Sequence, residues 1–190
     1  MTGLAILTAE LGAKRLELLH ESLPTATVVA MLVNPTSPIT EPETRGVRDA
    51  ARSLGLQLHV LNASTESEID TAFGTLVELR AGALVVSVDP FLTSQRARIV
   101  ALAARHAVPA IYGLREFVIS GGLMSYGNDL ADAYRQSGIY AAKILKGEKP
   151  ADLPVQQVVR VEFVINLKTA NTLGLTFPIT LLGRADEVIE

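Results

Sequence analysis

The sequence contains no cysteine and no tryptophan, and aromatic side chains make up only 5% of its 190 residues. Without cysteine there are no disulfides, no thiolate metal sites and no thiol nucleophile, although this absence does not choose between cytoplasm and periplasm. Charge is sparse as well: charged residues are 19% of the chain and the formal net charge is −3. Lysine and arginine are scattered (Lys14, Arg15, Arg45, Arg48, Arg96, Arg98) and form no basic stripe with interleaved aromatics, so no nucleic acid partner is expected. No apolar run approaches the ~18 to 20 residues that span a bilayer. Met1-Thr2-Gly3 lacks the basic start and long apolar stretch of a signal peptide. The expectation is a soluble chain without an export signal of its own.

The motifs of the common enzyme classes are missing too. There is no G-x-G-x-x-G, no P-loop Gly-Lys-Ser/Thr and no G-x-S-x-G elbow. His20, His59 and His106 stand far apart, with none at metal-ligand spacing from another, so neither a metal nor a cofactor is predicted. A magnesium-dependent receiver domain is disfavoured because the first strand ends in Asn34 without paired acids. Catalysis is not expected.

What is present is alternation. From residue 26 onward, short aliphatic runs alternate with longer amphipathic stretches, the βαβα signature of a parallel sheet covered on both faces. Residues 27–33 read as a first strand because it is apolar throughout, as a strand buried on both faces must be. Further strands are expected at 56–61, 83–88, 109–112 and 123–125. Thr40 with Glu43, and Thr65 with Glu68, fit capping boxes opening two helices. Other helices are expected at 10–23, 93–106 and 115–119, with a long one from Asn128 or Asp129 to Lys146 that Gly147 ends. Residues 155–165 read as extended, and 167–174 and 179–189 as a helical tail. The fold class is therefore α/β, an open parallel sheet of about five strands in the order 2-1-3-4-5, flavodoxin-like or periplasmic-binding-protein-like.

In such sheets ligands gather at the carboxyl ends of the strands. Asp89 sits at one such end, where its carboxylate either receives a ligand ammonium group or caps the turn with Pro90. Ser37 either bonds a ligand carboxylate or caps its loop. Tyr112 and Glu116 mix aromatic area with charge at another strand end, and Ser125 and Tyr126 precede a flexible Gly127 and a helix start. No one of these signals is specific. Their shared location at one sheet edge is what marks them.

Taken in order, Asn34-Pro35-Thr36-Ser37-Pro38, Asp89-Pro90-Phe91-Leu92-Thr93-Ser94-Gln95-Arg96, the run from Pro109 to Phe117, and Gly121-Gly122-Leu123-Met124-Ser125-Tyr126-Gly127 resemble the ABC transporter substrate-binding family. That family includes tryptophan- and phenylalanine-binding members. Val164-Ile165-Asn166-Leu167-Lys168-Thr169-Ala170 resembles its C-terminal end. The resemblance implies one lobe of a two-lobed clamshell. Residues 1–8 would cross from a missing N-terminal lobe, 9–154 would form the C-terminal ligand-binding lobe, and 155–190 would hold the return crossover and tail. It implies a small polar solute, an amino acid among the choices, bound through Ser37, Asp89, Tyr112, Glu116, Ser125 and Tyr126. The full-length parent would deliver it to an ABC permease from the periplasm or a membrane tether. An apolar surface left by the missing lobe would favour a homo-oligomer. The alternatives are the ligand-sensing domain of a transcription regulator and a flavodoxin-like enzyme.

Overall fold

The computed structural model describes residues 3–6, 10–158 and 160–190; residues 1, 2, 7 and 8 of the expected leading crossover, together with residues 9 and 159, lie outside the described residues. Among the described residues the main sheet has seven strands. Its first five are β2 (Val28–Val33), β3 (Gln57–Asn62), β4 (Ala83–Val86), β5 (Ala110–Tyr112) and β6 (Met124–Asn128). They are parallel and lie in the spatial order β3-β2-β4-β5-β6, which is the expected 2-1-3-4-5 order. Each central strand is buried on both faces, which is why it reads as an unbroken apolar run. In β2, Val29, Met31 and Val33 pack towards one face while Ala30 and Leu32 pack towards the other.

The helices divide between those faces. α1 (Leu11–Ser22) and α2 (Thr40–Ser53) cover the side of Val29 and Met31 with Leu16, Leu19 and Val47. α3 (Glu66–Glu78) covers the opposite side with Ile69, Phe73 and Leu76. Ile99 and Ala103 of α5 (Arg96–Arg105) join it, as does Phe117 of α6 (Arg115–Ile119). Burying a side chain such as Leu16 or Ile69 contributes about 1.5 to 3 kcal/mol, so these two layers supply most of the driving force.

Local expectations hold where a cap is self-contained. Thr65 accepts a bond from the Glu68 amide at 3.3 Å, while the Glu68 carboxylate reaches back to the Ser64 amide at 2.7 Å. Asp129 caps α7 (Leu130–Leu145) through the Asp132 amide at 3.0 Å. Three expectations are corrected. The helix at 93–106 is two: Asp89 caps a short α4 (Pro90–Ser94), with proline in the first turn where its missing N–H is harmless, and α5 follows after Gln95. Thr40 lies inside α2, donating to the Asn34 carbonyl, and Glu43 is drawn into the interior, so the pair forms no capping box.

The third correction concerns the C-terminal part. β8 (Val161–Asn166) runs antiparallel to β6, and β9 (Glu187–Ile189) pairs with β8 in parallel, extending the sheet beyond five strands. Between them lie two short helices, α8 (Leu167–Thr172) and α9 (Ile179–Leu182), so the tail is not wholly helical. An edge strand forms there because Asp186 accepts the Phe163 amide and Arg115 bridges Glu162 and Glu187, which fixes the register. Apart from the main sheet, β1 (Gly3–Ile6) pairs in parallel with β7 (Val155–Val158), from Gly3 opposite Val155 to Ile6 opposite Val158.

A crevice at the carboxyl ends of the central strands

The loops after β4 and β5 and the end of β6 surround a crevice of about 520 Å³. Its walls are largely apolar: Val88 and Pro90 after β4, Leu114 after β5, and Leu130 and Tyr134 on the first turns of α7. Tyr134 is 75% exposed, an aromatic face left at the rim. Among these groups stands one buried carboxylate, Asp89, which is 4% exposed. Its Oδ1 accepts both the Asn34 side-chain amide and the Leu92 backbone amide, each at 3.1 Å, while Oδ2 accepts nothing among the described residues. Asn34 is itself oriented by its Oδ1, which accepts the Thr36 amide at 3.1 Å and the Thr36 hydroxyl at 2.8 Å. The loop Asn34-Pro35-Thr36 thus aims an amide at Asp89. A carboxylate held this way remains ready to accept a further donor.

Beneath the crevice lies Arg15, fully buried on α1. Its Nη2 pairs with Glu43 Oε1, its Nη1 donates to the Tyr126 carbonyl at 3.2 Å, and the other Glu43 oxygen accepts the Ser87 hydroxyl. Arg15 Nε makes no hydrogen bond among the described residues. Burial pulls the Arg15 pKa below its ordinary value, and Glu43 opposes that shift. A guanidinium so paired still carries its charge.

Two glycines set the floor. A Cβ at Gly127 would lie 1.7 Å from the Gly113 carbonyl oxygen, so β5 and β6 approach here more closely than any side chain allows. Gly127→Ala should therefore force the two strand ends apart, lowering stability by about 1 to 3 kcal/mol through overpacking. Urea unfolding checks this, and a variant as stable as the wild type would show that the floor yields.

The residues singled out in the sequence separate in space. Asp89 lines the crevice. Ser125 is buried two residues before Gly127, short of the crevice on β6. Tyr126 turns the other way, meeting Phe163 edge-on at 6.2 Å, and its neighbours Gly127 and Asn128 line the crevice instead. Tyr112 lies in the core, stacked on Phe117 with ring centroids 4.6 Å apart, and burial raises its pKa. Glu116 is half-buried on α6, with Oε2 buried and making no hydrogen bond among the described residues. Ser37 belongs to a separate groove of about 400 Å³ at the ends of β2 and β3, with Thr40, Arg48 and Asn62. Sequence reasoning missed Arg15, Gly113 and Tyr134. The only signal for Gly113 was its place at a strand end, and Arg15 counted only among the scattered basic residues on the helix expected at 10–23.

The described residues contain no group of three or more His, Asp or Glu placed to hold a metal ion. Among the described residues no helix is long and apolar enough to cross a membrane. Residues 1–189 match the family described as ABC transporter substrate binding protein. The chain belongs to that family. Its relatives include a protein named as a tyrosine-binding protein from Clostridioides difficile (strain R20291), 25% identical over 162 residues, or 85% of this chain and 47% of the relative. A conserved domain protein from Vibrio cholerae O1 biovar El Tor matches with a TM-score of 0.87 and 25% identity, covering 98% of this chain and 62% of that one. The ABC domain from Streptococcus pneumonia in complex with L-Trp matches with a TM-score of 0.84 and 24% identity, covering 99% and 64%. The chain thus spans about half the length of the curated relative it matches and under two thirds of these two solved structures.

Proposed function

We propose that this chain is the C-terminal ligand-binding lobe of a two-lobed solute-binding protein, that it captures an amino acid with a large apolar or aromatic side chain, and that it catalyses nothing. The observation that carries the reading is the crevice itself: one buried carboxylate, Asp89, with a free oxygen, set among apolar walls that end in the exposed ring of Tyr134. An ammonium group satisfies such a carboxylate through a charge-assisted bond, and the walls suit an apolar side chain. The exposed lining is mostly apolar surface, which suits an apolar side chain better than a sugar, with Thr93, Ser94, Arg96 and Asn128 as its further polar share. The relatives named for tyrosine and crystallised with L-Trp support the same class.

The parallel pairing of β1 with β7 supports a domain division in which 1–8 and the segment around 155 are two crossovers to a first lobe. In the full protein, the solute would be passed to an ABC permease, with the protein in the periplasm or tethered to the membrane. Calorimetric titration of the chain with L-tryptophan, L-tyrosine and D-glucose tests the ligand class. The two amino acids should bind and glucose should not. Asp89→Asn should weaken the amino acids about tenfold or more, since a hydrogen bond to a charged group contributes about 1.5 to 3 kcal/mol. Binding of glucose in preference, or indifference to Asp89→Asn, would overturn the proposal.

A further inference from the structure

The three strand ends around the crevice all reach one buried side chain. On the β6 side, Arg15 Nη1 donates to the Tyr126 carbonyl at 3.2 Å, immediately before Gly127 and Asn128. On the β5 side, a Cβ built at Gly113 would fall 3.2 Å from the same Nη1, so the backbone of Gly113 rests against the guanidinium. On the β4 side the link runs through Glu43, which binds Arg15 with one oxygen and accepts the Ser87 hydroxyl with the other, two residues before Asp89. β4 and β6 are not neighbours, because β5 lies between them, so the walls they carry are roughly 9 to 10 Å apart. No hydrogen bond among the described residues joins Ser87 or Asp89 directly to residues 126–128.

A buried ion pair contributes little net stability compared with apolar side chains of the same volume. What it supplies is direction: a planar fork whose donors leave at fixed angles. We propose that Arg15, acting with Glu43, is a positioning residue that sets the distance between the Asp89 wall and the Gly127–Asn128 wall, and thereby tunes ligand affinity. The affinity consequence rests on the reading of the crevice as the ligand site. The positioning itself does not.

Amide NMR spectra and L-tryptophan titrations of the 190-residue chain test the two parts separately. The variants are Ser87→Ala, which cuts the link to β4, and Arg15→Lys, which keeps the charge but has no fork to span Glu43 and Tyr126 together. Ile69→Val, in the core on the opposite face of the sheet, is the control for mild destabilisation. In the unliganded protein, Ser87→Ala should shift the amides of Gly127 and Asn128, and Arg15→Lys should shift these together with Asp89. Ile69→Val should shift neither set. At a temperature where every variant is folded, Arg15→Lys should weaken L-tryptophan about tenfold and Ser87→Ala about threefold to tenfold, as expected for strained or lost charge-assisted contacts, while Ile69→Val leaves affinity unchanged. If Arg15→Lys does not fold, Ser87→Ala decides alone. Shifts confined to residues 86–89 in Ser87→Ala, or an affinity loss in Ile69→Val as large as in Ser87→Ala, would overturn the proposal. If the wild type takes up no L-tryptophan even at ~10 mM, the range that weak single-lobe binding calls for, the ligand class proposed above is wrong and the amide shifts alone decide the positioning.

Discussion

Arg15→Met should lower the stability of the chain by about 3 to 5 kcal/mol, because it leaves Glu43 buried, charged and without its partner. Both side chains are fully buried, so water cannot replace what is removed. The loss also strips the Tyr126 carbonyl of the donor it has at 3.2 Å. Glu43→Leu should cost a similar amount by orphaning the guanidinium, whose Nε already makes no hydrogen bond among the described residues. The double variant Arg15→Met/Glu43→Leu should recover most of the stability, since an apolar pair of similar volume avoids desolvating two charges. Urea denaturation of the two single variants and the double variant measures the coupling directly. Additive losses would show that the two charges do not depend on one another.

The other large effect concerns affinity. The chain alone should bind its amino acid about a hundredfold to ten-thousandfold more weakly than the two-lobed protein proposed above, since losing two hydrogen bonds to charged ligand groups forfeits about 3 to 6 kcal/mol. One lobe offers one wall. The crevice is open to solvent, and Tyr134 stands 75% exposed at its rim. Small-molecule sites usually bury ~70 to 90% of the ligand, which a single wall does not achieve. Calorimetry with L-tryptophan on this chain and on the protein carrying both lobes decides the matter. Equal affinities would place the whole site in this lobe.

Much of the architecture was legible in the residues themselves. Val28 to Val33 is apolar throughout, Gly55 and Gly147 stand at helix ends with positive φ, and Thr65 and Asp129 cap the helices that follow them. These are short-range effects: burial on both faces, a left-handed turn and a hydroxyl or carboxylate within three residues each leave a mark in a local window. The alternation of strand and helix then points to a parallel sheet with short right-handed crossovers, and the flavodoxin-like class supplies the order 2-1-3-4-5. The same local marks also placed Asp89 at a strand end.

Which side chains share the crevice was decided only in three dimensions. Tyr112 and Tyr126 both sit at strand ends in the sequence, yet the first is stacked in the core on Phe117 and the second is turned onto Phe163. A strand of three residues such as β5 is too short to show its phase, and a shift of one residue exchanges the faces. Glu43 had the spacing of a capping acid, but Arg15, 28 residues earlier, offered it a charge in the interior, and pairing two buried ions outweighs a cap at the surface. Likewise Gly127 was marked in the sequence only as a flexible residue before a helix, and the need for glycine at both 113 and 127 emerged only where two strand ends met. The sequence alone determined what is periodic or local, namely the elements and their order. The crevice is made by pairs of residues far apart in the chain, whose contact depends on the packing of α1 and α2 against the sheet and on the approach of β5 to β6.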